Sequence, residues 1–127
     1  MAERHVRALR GATTVERDDP EAVLEGTREL LDALATRNGL HVDDIISAIF
    51  TVTPDLTSDF PARAAREMGW AVVPLLCALE IPAEGALPRC IRVLLHVETA
   101  RDRAELEHVY LHGARVLRPD IAAGEPA

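Results

Sequence analysis

At 127 residues the chain has room for one domain, and a hydrophobic content of 48% fills a core with little stability to spare, so association with further copies is one source of the remainder. Aromatic residues are only 3%, with one Trp and one Tyr, which rules against base-stacking platforms, and a net charge of -7 disfavours phosphate backbones and anionic lipid; a small anion held by a local arginine cluster stays open. Glu3, Arg4, Arg7 and Arg10 break up the first ten residues, and Cys77 and Cys90 are the only cysteines, so neither a secretory signal, a membrane span, a disulfide nor a zinc site is expected, and the protein is expected to be cytoplasmic.

Residues 6–10 read as a first strand ended by Gly11, which sets Arg10 at a strand end. Asp18, Asp19 and Pro20 then supply an N-cap and first-turn proline, and Val23, Leu24, Leu30, Leu31 and Leu34 recur at helical spacing until Asn38 and Gly39. The β-branched run 45–52 reads as a second strand ended by Thr53-Pro54-Asp55. A short helix starts near Pro61 and stops at Gly69, with Arg63 and Arg66 on one face. Residues 70–78 are apolar apart from Pro74 and read as a third strand with an edge position or a bulge at the proline. After a loop at 82–88, residues 90–97 make a fourth strand. Residues 102–110 have helical spacing, and 113–117 return as a fifth strand; the tail at 118–127 is expected to be flexible.

That order implies a single domain over 1–127 of α/β or α+β class, a mixed sheet of about five strands with helices on one face. The other face needs cover. A second copy of the chain supplies it, and three copies around an axis would enclose a core and leave clefts between subunits.

The most informative residues are charges set among strand residues. Glu80 follows the apolar run of the third strand, and Arg92 interrupts Ile91, Val93, Leu94 and Leu95; a charge so placed needs a partner or a ligand unless it alternates to solvent. Arg10, Arg66 and Arg92 offer guanidinium forks that suit a di-acid, against simpler readings of Arg66 as a solvated helix charge and Arg10 as a strand-end salt bridge. Glu80 is a candidate acid or base, an acceptor for a hydroxyl, or the partner of an arginine, the commonest fate. Cys77 has no neighbouring His and suits packing better than nucleophilic attack. His108 and His112 stand at i, i+4 spacing but lack a third ligand, so they read as surface histidines, and Tyr110 matters to a ligand only if it lies beside Arg10.

Arg10-Gly11-Ala12-Thr13-Thr14-Val15-Glu16, Thr53-Pro54-Asp55-Leu56, Phe60-Pro61-Ala62, Gly69-Trp70, Cys90-Ile91-Arg92-Val93 and Leu117-Arg118-Pro119-Asp120 occur in one order along residues 6–120, and in them the chain resembles the trimeric, monofunctional chorismate mutases of the AroH class. The resemblance implies a homotrimer with a pseudo-barrel core, active sites between neighbours, no cofactor and no metal, and the rearrangement of chorismate to prephenate in phenylalanine and tyrosine biosynthesis. By motif position it implies that Arg10, Arg92 and Tyr110 hold the substrate, that Glu80 and Cys77 meet its ring hydroxyl, and that Phe60, Arg66 and Leu117 border the cleft. Arg92, Glu80 and Arg10 would then carry catalysis. Leu76 stands where relatives carry a threonine, so that contact is not carried over. A non-catalytic module binding a chorismate-like diacid is the alternative; a deaminase on a similar trimeric scaffold lacks its motifs here.

Overall fold

The computed structural model describes residues 3–120, and the chain order is β1 (His5–Thr14), α1 (Pro20–Asn38), β2 (Ile45–Val52), α2 (Pro61–Glu67), β3 (Leu75–Leu79), β4 (Cys90–Thr99) and β5 (Val109–Tyr110). Short 3-10 segments at Val42–Asp44, Arg103–Glu105 and His112–Leu117 join or follow them. The strands form one mixed sheet in the order β3-β2-β4-β1-β5, with β4 antiparallel to both β1 and β2, and with β3 and β5 as parallel edges.

Local chemistry explains α1. The Asp19 carboxylate accepts the Ala22 N–H at 2.8 Å, Pro20 occupies the first turn, and Gly39 closes the helix in the left-handed region at φ 60°. Its buried stripe of Val23, Leu24, Leu30, Leu31 and Leu34 lies on the sheet. The approach is close at Gly11, where a Cβ would stand 2.8 Å from Leu34 Cδ1. Strand alternation puts Leu9, Gly11, Val93, Leu95, Phe50 and Ala48 under the helices. At one end of the opposite face the His112–Leu117 segment packs Ala114 and Leu117 on Ala12 and Cys90; the rest is open, and Val6 and Leu76 on it are 59% and 60% exposed.

Four expectations need correction. Gly11 does not end β1, which runs to Thr14, because β4 pairs with all ten of its residues while the missing Cβ admits Leu30 and Leu34; Arg10 is therefore a mid-strand residue. The third strand starts at Leu75, since Trp70 and Val73 turn inward to the core and the Val73 N–H closes on the Trp70 carbonyl at 3.0 Å. Pro74 directly precedes this edge strand, where its missing donor costs no ladder bond. Residues 102–110 do not form a helix: Asn38 takes the backbone of Glu107 at both ends, and the free edge of β1 captures Val109 and Tyr110 as β5. Residues 113–117, expected as a strand, wind into a 3-10 turn, with the Gly113 N–H given to Thr14 Oγ1 at 3.0 Å. Of the tail, residues 121–127 lie outside the described residues.

Candidate active site

The uncovered face of the sheet holds a cavity of about 290 Å³ lined by Arg10, Ile49, Thr51, Arg92, Leu94 and Tyr110 together with the backbone of Gly11 and Val93. Arg10 and Arg92 come from adjacent strands, and Tyr110 from β5 on the far side of β1. Tyr110 is buried beside Ala12, Cys90 and Ala114, with Leu117 packed on the same cluster. Arg92 Nε lies 3.4 Å from Glu80 Oε1. Glu80 follows β3 yet is held in register, because its N–H donates to the Val52 carbonyl at 2.8 Å. Thus the carboxylate steadies a guanidinium that is still open to a ligand.

The start of β4 is fixed by the Thr53-Pro54-Asp55 motif. Thr53 Oγ1 accepts the Cys90 N–H at 3.0 Å and donates to Asp55 at 2.6 Å, while Asp55 takes the Arg89 N–H at 2.9 Å. Arg89 sits at φ 48°, a left-handed position that these bonds hold. Arg92 is three residues further on. Cys90 itself is buried, and burial pushes its thiol pKa up, outweighing the opposite pull of Arg92, so it is a packing residue.

A second cavity, about 500 Å³, opens beside α2 and is lined by Leu56, Asp59, Phe60, Arg63, Cys77 and Leu79 among others. Asp18, at the start of the α1 cap, receives the N–H groups of Thr57 and Ser58, both at 3.1 Å, and so anchors the loop that presents Phe60. Arg63 is paired with Asp59 at 2.8 Å across one helical turn. Arg66 is exposed on α2 and lines neither cavity. Sequence reading placed Arg63 on the same helix face as Arg66 but gave it no part in a site; the Asp59 to Arg63 spacing was the available signal.

The two cavities share no lining residue, and their key side chains point to different faces of the sheet. Phe50, fully buried under the helices, pairs with both Val93 and Cys77, whereas Thr51 pairs with both Arg92 and Ala78. Side chains alternate, so Cys77 lies on the helix face and Arg92 on the open face. Sequence placed these residues in strands but could not bring out that opposition, which depends on the β2 register.

His108 and His112 do not share a helix face, for β5 lies between them. His108 Nδ1 accepts the Arg10 N–H at 2.9 Å, and His112 Nε2 is 2.7 Å from Glu29. Among the described residues no group of three or more His, Cys, Asp or Glu side chains is placed to hold a metal ion, and no helix is long and apolar enough to cross a membrane.

A mixed five-stranded sheet with both helices on one face, and with Arg10 and Arg92 lining a cavity on the other, defines a small α+β protein. The family model described as chorismate mutase type I matches residues 6–121. The chain is 50% identical to the chorismate mutase AroH of Thermus thermophilus over 121 residues, which is 94% of this chain and 99% of that one. It is 42% identical to the chorismate mutase AroH of Bacillus subtilis (strain 168), over 92% of this chain and 93% of that protein. A solved chorismate mutase from Clostridium thermocellum superposes with a TM-score of 0.85 at 51% identity, covering 87% of this chain and 98% of that one. The chain belongs to the type I chorismate mutase family.

Proposed function

We propose that this chain rearranges chorismate to prephenate in sites shared between copies of itself, three copies closing around an axis with their open sheet faces inward. The observation that carries the composite site is the opposition of Arg92 and Cys77 across the sheet. A neighbour that covers the open face of one chain can bring its own Phe60 and Cys77 rim to the Arg10, Arg92 and Tyr110 cavity of that chain. The described residues form one sheet with its two helices, which supports reading the chain as a single catalytic domain.

The reaction is a unimolecular pericyclic shift of a flexible dianion, so it requires no nucleophile and no proton transfer. It does require a compact, chair-like conformer and a counter-charge where the ether C–O bond breaks and its oxygen turns partly negative. Arg10 and Tyr110 hold a substrate carboxylate. Arg92, kept in place by Glu80, faces the ether oxygen and gains interaction energy only as charge develops, which favours the transition state over the ground state. The second oxygen of Glu80 and the Cys77 region of the neighbour accept the ring hydroxyl, and Phe60 closes the apolar side.

The decisive test follows the loss of chorismate absorbance with purified protein while light scattering reports its mass in solution. Turnover by a trimer is expected. A folded protein that binds chorismate without converting it would leave a binding module, and a fully active monomer would end the composite site.

A further inference from the structure

The edge strand that carries Tyr110 is only two residues long, and its pairing with β1 sets Gly11 opposite Val109 and Ala12 opposite Tyr110. Carried back one residue, this register places His108 beside Arg10. In a parallel ladder the Arg10 N–H would then go to the carbonyl of residue 107. That carbonyl is instead taken by Asn38 Nδ2 at 2.9 Å, while Asn38 Oδ1 receives the Glu107 N–H at 2.7 Å. The orphaned Arg10 N–H turns to His108 Nδ1, at 2.9 Å. One turn of chain later the ladder resumes, with the Leu111 N–H on the Ala12 carbonyl at 2.9 Å.

A backbone N–H can only donate, so Nδ1 must carry a lone pair, and a neutral ring holds its proton on Nε2. The surroundings favour that state. His108 shares a cavity with Arg7 and Arg10 of β1, His96 of β4 and Arg103 of the turn after it, and no carboxylate is among the lining residues. Burial, followed by the charges of Arg10 and Arg118, holds its pKa below the usual imidazole value of 6.5.

We propose that His108 is a positioning residue: its neutral ring replaces the missing carbonyl rung between β1 and β5 and so keeps Arg10 and Tyr110 at the spacing that the substrate needs. The inference rests on the reading of Arg10 and Tyr110 as substrate-binding groups. Protonation removes the acceptor and sets a cation against the Arg10 N–H, so grip on the substrate weakens on the acid side. The same group contributes stability above the ordinary imidazole value that is lost as pH falls through its depressed folded value.

Steady-state kinetics from pH 5 to 8 on wild type, His108→Ala, His108→Asn and Arg10→Ala test it. The amide oxygen of Asn stands near the position of Nδ1 but does not titrate. His108→Ala is expected to raise KM about tenfold with kcat little changed, the loss of one positioned hydrogen bond. His108→Asn is expected to keep KM close to wild type at pH 7.5 and to stay flat where the KM of wild type climbs on acidification. Should His108→Ala not fold, the comparison of His108→Asn with wild type across pH decides alone. A folded His108→Ala with an unchanged KM, or His108→Asn and wild type rising in parallel at low pH, overturns the positioning role while a weakened Arg10→Ala leaves the substrate site standing. An Arg10→Ala enzyme of normal KM overturns both.

Discussion

The two halves of the proposed shared site are built in different ways. The open-face half takes its cations from β1 and β4, the long inner strands: β4 is paired along its length with both β1 and β2, and β1 is paired at all ten of its residues with β4, so Arg10 and Arg92 stand on well-braced backbone. The rim half takes Cys77 from the edge strand β3 and Phe60 from a loop tied back by Asp18, and Phe60 is 65% exposed. The contrast matches the tasks. Charge that must already be in place when a bond breaks is useful only on a rigid support, whereas an apolar wall that admits and releases substrate can be a loop.

If that division is right, removing charge from the stiff half has the largest effect. Arg92→Ala should lower kcat about 100- to 1,000-fold, about 3 to 4 kcal/mol of barrier, with circular dichroism and melting temperature little altered because the side chain lines a cavity rather than the core. A near-normal kcat would remove Arg92 from the chemistry. Arg92→Lys should recover only part of the loss, since the planar fork is gone.

A sharper test asks whether the two halves belong to different copies. Phe60→Asp should fold, given the exposure of the ring, and should repel a dianion. Mixed in equal amounts with Arg92→Ala and exchanged through an unfolding and refolding cycle, two weak enzymes should yield about a quarter of wild-type activity, because about one interface in four then joins two intact halves. Activity no higher than the average of the parents would mean that both residues act from one chain.

The smallest effect is expected at the rim thiol. Cys77→Ser changes a half-buried packing residue into a weak hydrogen-bonding one and should cost less than tenfold in kcat/KM. A folded but inactive Cys77→Ser would give the thiol a chemical role that its surroundings do not suggest.

What the sequence disclosed follows from the range of the forces involved. The start and stop of α1 are written within a turn of each end, in Asp19, Pro20 and Gly39, and they stand in the structure as read. The stretch after β4 departs from its pattern because its helical spacing is real but outcompeted: Asn38, 69 residues away, binds Glu107, and the free edge of β1 does the rest. Gly11 reads locally as a stop, but its use is to let α1 approach. Among the site residues, the strand charges Glu80 and Arg92 were conspicuous as charges in apolar runs, and the structure pairs them at 3.4 Å. The separation of Arg92 from Cys77 to the other face was not, since alternation gives parity within a strand but not the relation between strands.

Asn38 has a further consequence. At 1% exposure, its amide bonds the Leu34 carbonyl at the end of α1 as well as both backbone groups of Glu107, so one side chain stitches the last helical turn to the segment that leads into Tyr110. Neither can fray alone without stranding a buried amide. The weakest strand of the sheet therefore inherits the cooperativity of its longest helix, and transient openings of the molecule that release Tyr110 must also unravel the C-terminal end of α1.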